Sequence, residues 1–379
     1  MSSKKTKTKK PNFLREILRD EKTLIFSIFT TILFFFFGKS WLADLSNSLW
    51  FAFITFWLFA IILLSAFAIV RHAESLAELL GEPLGTLILT LSVIGIEVAM
   101  ISAVMLTGED KPTLARDTMF AVVMIVLNGM VGISLLVGGW SHHEQEYNIK
   151  GANSFIALIV PLSVLGLILP SFTRTTAAPT FSPFQAIFVS IMSIGLYVIF
   201  LFIQNRRHRE FFISTDAGIS HDHHHDFTIR TVPYHAAFLL AFLLPLVFLA
   251  KQLAVPVDYG TDKFGAPLAL GGFLIAVLIL SPEVMSAVKA AKKDDLQRSI
   301  NISLGSVLAT IGLTIPAVLT IGLLTGKTVV LGLNPADSVM LILSLILSII
   351  TFSHERTNIL LGAVHLLLFL AYLMLVFEG

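Results

Sequence analysis

Residues Leu89–Leu106 read LTLSVIGIEVAMISAVML, and the one charged side chain among them is Glu97. Residues Ile279–Val288 read ILSPEVMSAV and place Glu283 in the same kind of apolar surroundings. Each stretch belongs to an uncharged apolar run long enough to cross a bilayer. A carboxylate at the middle of such a helix costs about 2.5–3.5 kcal/mol on insertion scales. Glu97 lies about thirteen residues into its span, roughly 20 Å at the helical rise, too deep to reach the headgroups easily. Glu283 is nearer the cytoplasmic end of its span. Two such acids point to function rather than accident.

The composition supports a membrane chain throughout. Of 379 residues, 55% are hydrophobic and only 13% charged, where a soluble domain carries roughly a quarter. There is no cysteine, which excludes disulfides, thiolate nucleophiles and cysteine-ligated zinc. Apolar runs predict eleven spans, near 24–37, 49–70, 84–106, 117–138, 153–170, 183–204, 233–251, 266–288, 298–324, 336–352 and 358–377. With the N-terminus inside, nineteen Lys and Arg fall on inner segments and seven on outer ones, the bias expected of a cytoplasmic N-terminus and an outer C-terminus.

These spans predict an all-α polytopic membrane protein. Residues 1–22 form a basic cytoplasmic tail, 23–48 an extra first helix and its loop, and 49–204 a set of five helices. Residues 205–232 form a cytoplasmic linker rich in His and Asp, and 233–379 a second set of five. Five is odd, so the second set enters the membrane from the opposite side, which is the arithmetic of an inverted repeat. Gly85 precedes Glu97 by twelve residues and Gly271 precedes Glu283 by twelve, an offset of 186 in both pairs.

The neighbours of the two acids are oxygen-bearing or small. Thr86 and Thr90 share the helical face of Glu97. Gly272, Ala276, Ser286 and Ala290 share that of Glu283, which allows close helix contact. Pro282 removes a backbone donor beside Glu283, and a broken helix there is expected to free carbonyl oxygens for a cation. Ser306, Thr310 and Thr314 recur at four-residue spacing in span nine, with Asn301 and Gly305 on an adjacent stripe. Carboxylates and hydroxyls are hard ligands, suited to Ca²⁺ or Na⁺. A buried acid pair is stable when protonated or neutralised by a cation and unstable when bare. Proton and cation therefore compete for one site. Glu97 and Glu283 are the expected cation and proton binders, with Ser306, Thr90 and Asn301 as oxygen ligands.

At these residues the chain resembles the calcium/cation antiporter superfamily, and among its members the bacterial ChaA-type calcium (sodium, potassium)/proton antiporters. The resemblance is carried by AESLAELLGEPLGTLILTLSVIGIEVAMISAVM, LILSPEVMSAVKAA, INISLGSVLATIGLTIP and RTNILLGAVHLLLFLAYLM. It implies ten core helices in two inverted halves plus an extra first helix. It implies that Glu97 and Glu283 are the acids of two signature repeats and that Gly305 and Ser306 form the Gly-Ser of the following helix. Thr357, Asn358 and Gly362 resemble a C-terminal Ser-Asn-x-Leu-x-Gly element. The vacuolar members carry Gly-Asn three to four residues before each acid, where this chain has Val93 and Ile94, and Ile279 and Leu280. Asn128 loosely matches an Asn-bearing segment after the first acid. Missing amide oxygens weaken the case for Ca²⁺ and leave Na⁺ or K⁺ open.

The expected activity is therefore secondary exchange of Ca²⁺, Na⁺ or K⁺ for protons across a bacterial inner membrane. No cofactor is expected, and the partners are inorganic cations, protons and membrane lipid, without nucleic acid. A cation channel with an acidic filter and an intramembrane enzyme are rivals, the latter with no HExxH or GxSxG motif. A zinc or other divalent exporter rests on HDHHHD alone, where His221, His223, His224 and His225 offer a regulatory metal site or simply a solvated linker. Glu74, Glu78 and Glu82 read as a solvated amphipathic helix before span three, and His365 as a bonded core histidine or a proton relay.

Overall fold

Among the described residues, eleven apolar helices carry the chain back and forth, as the hydropathy pattern requires. The computed structural model describes residues 20–81, 84–105, 111–213, 230–265, 267 and 269–378. The basic tail up to residue 19 and the HDHHHD tract lie outside them. The helices are α1 (Lys22–Trp41), α2 (Ser48–Leu80), α3 (Leu84–Met105), α4 (Leu114–His142), α5 (Ile149–Ser171), α6 (Pro183–Arg207), α7 (Val232–Phe264), α8 (Ala269–Lys292), α9 (Leu296–Thr325), α10 (Pro335–Thr351) and α11 (Ile359–Glu378). Ten are long and apolar enough to cross a bilayer, and α10 is a shorter apolar helix.

The starts and stops follow from local chemistry. Asn47, Asn148 and Asn334 each cap a helix by accepting backbone N–H bonds, and Ser182 with Gln185 forms a capping box ahead of α6. Gly81 and Gly265, at φ 63° and 65°, end α2 and α7 in the left-handed region that a side chain disfavours. Both of those helices run 33 residues, roughly 50 Å against a hydrocarbon core of about 30 Å, so they project past the membrane. The spans expected at 49–70 and 233–251 are thus longer than the sequence predicts. Glu74 and Glu78 ride on the projecting end of α2 instead of a separate surface helix.

Packing displays the inverted repeat directly. Helices α2 and α7 lie along each other. Helix α3 packs on α9 as α8 packs on α4, α4 meets α11 as α9 meets α6, and α4 meets α10 as α9 meets α5. Exchanging helices α2–α6 for α7–α11 maps each contact onto its counterpart. Helix α1 stands outside this scheme against α2 and α7. The offset of 186 recurs in the caps Asn148 and Asn334. It recurs again in the π-helical turns, Ile125–Met130 within α4 and Thr310–Thr314 within α9, which hold Asn128 and Thr314. Helices α4 and α9 are the most enclosed of the spans.

One local expectation is corrected. Helix α8 runs unbroken through Pro282. A proline deletes one N–H, and both Pro282 and Leu278, whose carbonyl it would have served, are buried within the helix packing. Interruptions occur as π-turns, in α4 and α9 and also at Val164–Ile168 in α5 and Ile203–Arg207 in α6. The close helix contact expected at Gly272 is present, against α4. A Cβ on Gly272 would lie 2.6 Å from the Thr118 nitrogen, while one on Gly271 would meet its nearest atom, Val257 Cγ1, at 3.6 Å.

Gly272→Ala is therefore expected to destabilise the protein by about 1–3 kcal/mol through overpacking of α8 on α4. Gly95→Ala, where a Cβ meets nothing within 4 Å, is expected to be neutral. Thermal unfolding of the detergent-solubilised variants compares the two.

Candidate functional site

The two acids of the quoted stretches converge. Glu97, on α3, and Glu283, on α8, both line one cavity of about 220 Å³. Thr310 Oγ1 donates to Glu97 Oε2 at 2.9 Å, and Ser306 Oγ donates to Glu283 Oε2 at 2.6 Å. Ser306 and Thr310 are one turn apart on α9, which spaces their carboxylate partners by roughly 6 Å along that helix. Glu97 is 2% exposed, and its Oε1 has no hydrogen-bond partner among the described residues. A buried carboxylate oxygen without a donor demands a proton or a cation.

Thr90, Asn301, Gly305 and Ser306 line the same cavity. The Asn301 amide is already engaged, donating from Nδ2 to the Phe212 carbonyl at 2.7 Å and accepting from Gln297 Nε2 at 2.9 Å. It secures the inner end of α9. Gly305 is loosely packed, its nearest neighbour to a Cβ being Phe155 at 3.8 Å. Gly85 lets the start of α3 approach the end of α2, where a Cβ would stand 2.3 Å from the Ala77 oxygen. Asn358 accepts from the Leu361 N–H at 3.2 Å at the start of α11, away from the acids. Thr357 pairs with Gln145 in a two-residue antiparallel bridge, Gln145–Glu146 against Arg356–Thr357. His365 is fully buried against Thr351, 2.9 Å from its hydroxyl, and does not line the cavity.

The repeat is broken chemically where it is kept geometrically. At the offset of 186, Ser306 and Thr310 of α9 correspond to Phe120 and Met124 of α4. Phe120 is buried edge-on to Tyr372, and Met124 Sδ lies near Asn128 Nδ2 and Ser344 Oγ. Hydroxyl oxygens therefore reach the acids from one half only. Val93, Ile94, Ile279 and Leu280 also line the cavity, so apolar side chains stand where amides would have supplied further ligands. Tyr197, Phe155 and Phe200 complete the wall. Nothing in the sequence marks those aromatics, whereas the four-residue spacing of Ser306, Thr310 and Thr314 does mark α9.

The cavity reaches the face that carries Glu21, where Glu74, Gln204 and Arg298 line it. The opposite face is tied shut. Lys111 pairs with Asp258, Lys327 Nζ donates to the Met105 carbonyl at 2.7 Å, and the Val330 N–H donates to the Pro112 carbonyl at 2.8 Å. The arrangement holds two acids that cannot stand bare in one shared chamber.

Comparison with known proteins agrees with the resemblance seen in the motifs. The family model described as sodium/calcium exchanger protein matches residues 48–205 and 234–378, the two halves seen in the packing. The chain is 40% identical over 362 residues to the sodium-potassium/proton antiporter ChaA of Escherichia coli strain K12, covering 94% of this chain and 96% of that one. The solved structure of native YfkE superposes with a TM-score of 0.72 at 17% identity, covering 96% of this chain and 99% of that one. The H+/Ca2+ exchanger CAX superposes with a TM-score of 0.65 at 14% identity, covering 97% and 90%.

Thr310→Val removes a hydrogen bond to a charged group, worth about 1.5–3 kcal/mol, and is expected to weaken cation binding by about tenfold or more. Asn301→Ala is expected to change it by no more than about threefold, because that amide is engaged elsewhere. Titration calorimetry on the purified variants measures both.

Proposed function

Because the chain belongs to the sodium/calcium exchanger protein family, we propose that it is a secondary antiporter that moves cations out of the cytoplasm in exchange for protons, with Glu97 and Glu283 as the shared binding groups. The observation that carries this reading is the joint cavity: two intramembrane carboxylates, each bonded to a hydroxyl of α9, one turn apart. Two carboxylates are neutralised by two protons, by one divalent cation, or by one monovalent cation with one proton. If only neutralised forms let the two halves exchange which face they open to, transport of one ion obliges counter-transport of the other.

In this reading the cation leaves its water for Glu97, Glu283, Ser306 and Thr310, with Thr90 on the wall toward the inner mouth. Gly85 and Gly272 hold α3 and α8 close to their neighbours so that the acids face the cavity and not lipid. The Lys111–Asp258 pair and the Lys327–Met105 contact would open when the site turns outward. The excess of Lys and Arg on the face that carries Glu21 makes that face cytoplasmic, and the membrane would be the bacterial inner membrane.

The cation is proposed to be Na⁺ or K⁺ first. A relative 40% identical carries the name sodium-potassium/proton antiporter, and the apolar side chains at Val93, Ile94, Ile279 and Leu280 leave few oxygens for a divalent ion that takes six to eight. Ca²⁺ is the second reading, favoured by the presence of two carboxylates.

Reconstituted protein in vesicles is expected to move protons when Na⁺, K⁺ or Ca²⁺ gradients are imposed, without carrying a cation current in the absence of a proton-linked response. Glu97→Gln and Glu283→Gln are each expected to lower exchange by about 100-fold or more, because removing one partner of a buried charge cluster costs about 3–5 kcal/mol. Either variant exchanging at the parent rate would exclude the mechanism, and uncoupled cation current would favour a channel.

A further inference from the structure

Away from the central cavity, a dense cluster of titratable groups joins α1, α2 and α7 at the inner face. Glu21, just before α1, is 2% exposed, and His72 of α2 and His235 of α7 are fully buried. The Glu21 carboxylate accepts from Arg71 Nη2 at 2.7 Å, Tyr234 OH at 2.8 Å and His72 Nε2 at 3.3 Å. The two histidines approach through their Nδ1 atoms at 2.9 Å. The Arg230 backbone N–H donates to His235 Nε2 at 3.1 Å, and the Arg230 guanidinium pairs with Asp20 at 3.0 Å.

These bonds fix where the protons are. A backbone N–H can only donate, so His235 Nε2 is bare and its proton sits on Nδ1. That proton is donated to His72 Nδ1, which is therefore bare as well. The His72 proton is left on Nε2, facing the Glu21 carboxylate. Arg71 Nη2 also comes within 3.5 Å of His72 Nε2. If it donated there, His72 would carry its proton on Nδ1, directly against that of His235. Two neutral rings thus share one hydrogen bond with a single consistent direction.

An added proton has no place in this arrangement. On His72 Nδ1 it would oppose the His235 N–H, and on His235 Nε2 it would oppose the Arg230 N–H. Burial alone would raise the Glu21 pKa, but the hydrogen bond from His72 and the Arg71 charge outweigh it and hold that acid below its ordinary value. Glu21 therefore stays a carboxylate, and the added proton goes to a ring. Among the described residues, the charged or titratable groups facing the pair are Glu21 and Asp20 ahead of α1, Arg71 on α2, and Arg230 and Tyr234 at the start of α7. Glu74 of α2 and Lys289 of α8 line the adjoining cavity of about 300 Å³ next to Arg71.

We propose that the His72–His235 pair is an acid-sensitive latch, closed when both rings are neutral, whose protonation parts α7 from α2 at the inner face and slows exchange. Helices α2 and α7 flank α3, which carries Glu97, so their separation reaches the site. The device has a chemical logic: an exchanger that imports protons is restrained when the inner compartment is already acid. The transport part rests on the antiporter reading, whereas the latch itself does not.

The test uses purified full-length protein in vesicles at saturating cation, which removes simple competition between protons and cations at Glu97 and Glu283. The parent rate is expected to hold near neutral pH and to fall about tenfold as inner-face pH drops from about 6.5 to about 4, because the enclosed and fully bonded pair resists an added proton. His235→Gln keeps a donor and an acceptor but cannot titrate, so it is expected to hold the neutral-pH rate within about twofold and to lose the acid fall. The absence of cysteine allows spin labels at Leu64→Cys on α2 and Leu240→Cys on α7, both exposed positions. Their separation is expected to change on acidification in the parent and not in His235→Gln. His72→Gln carries the same expectation should His235→Gln fail to fold. An acid profile and a label response that persist unchanged in the histidine variants overturn the latch, as does a parent with no acid response. A pH-responsive label distance in a protein that exchanges nothing supports the latch and overturns the transport reading alone.

Discussion

Two carboxylates enclosed between helices cannot both remain charged, and the rest of the structure answers to that constraint. Glu97 and Glu283 sit on helices long and apolar enough to cross a bilayer, and both line one largely apolar cavity. A charge taken out of water is tolerated only when it is paired, bonded or neutralised. Ser306 and Thr310 supply a donor to each acid, and the free oxygen of Glu97 is left for a proton or an ion. The site is therefore held in a state that is completed by whichever positive species arrives.

In the proposed exchange, the inverted repeat would turn this static constraint into a cycle. Because α2–α6 and α7–α11 pack in equivalent ways, a conformation closed at the outer face has a counterpart closed at the inner one. The two halves are not chemically equal. The α9 hydroxyls have Phe120 and Met124 as counterparts in α4, so the hydroxyl bonds to both acids come from one half. A poor oxygen supply suits an ion that needs few ligands, and it leaves room for a proton to replace that ion on either acid.

Much of this was legible in the sequence, for identifiable reasons. Span number, inversion and the meeting of Glu97 with Glu283 follow from hydropathy, span parity and the repeated twelve-residue spacing from glycine to acid. Those signals are periodic and local. The π-turns are not legible, since Thr310–Thr314 and Ile125–Met130 read as ordinary apolar helix. Pro282 misleads because dense packing overrides its local preference for a break. Asn301 reads as a ligand by its stripe on α9, but its amide is held by Gln297 and the Phe212 backbone, partners that only tertiary structure brings near. The Glu21, His72 and His235 cluster is invisible for the same reason: its members are separated by 51 and 163 residues.

The claim beneath the account is that the acids exchange one neutralising species for another. Adding Na⁺, K⁺ or Ca²⁺ to purified protein in weakly buffered detergent solution, while following a pH indicator, observes that exchange without any membrane. Proton release that saturates together with cation binding, and that disappears in the Glu97→Gln, Glu283→Gln double variant, is the predicted result. Cation binding with no proton released would contradict it.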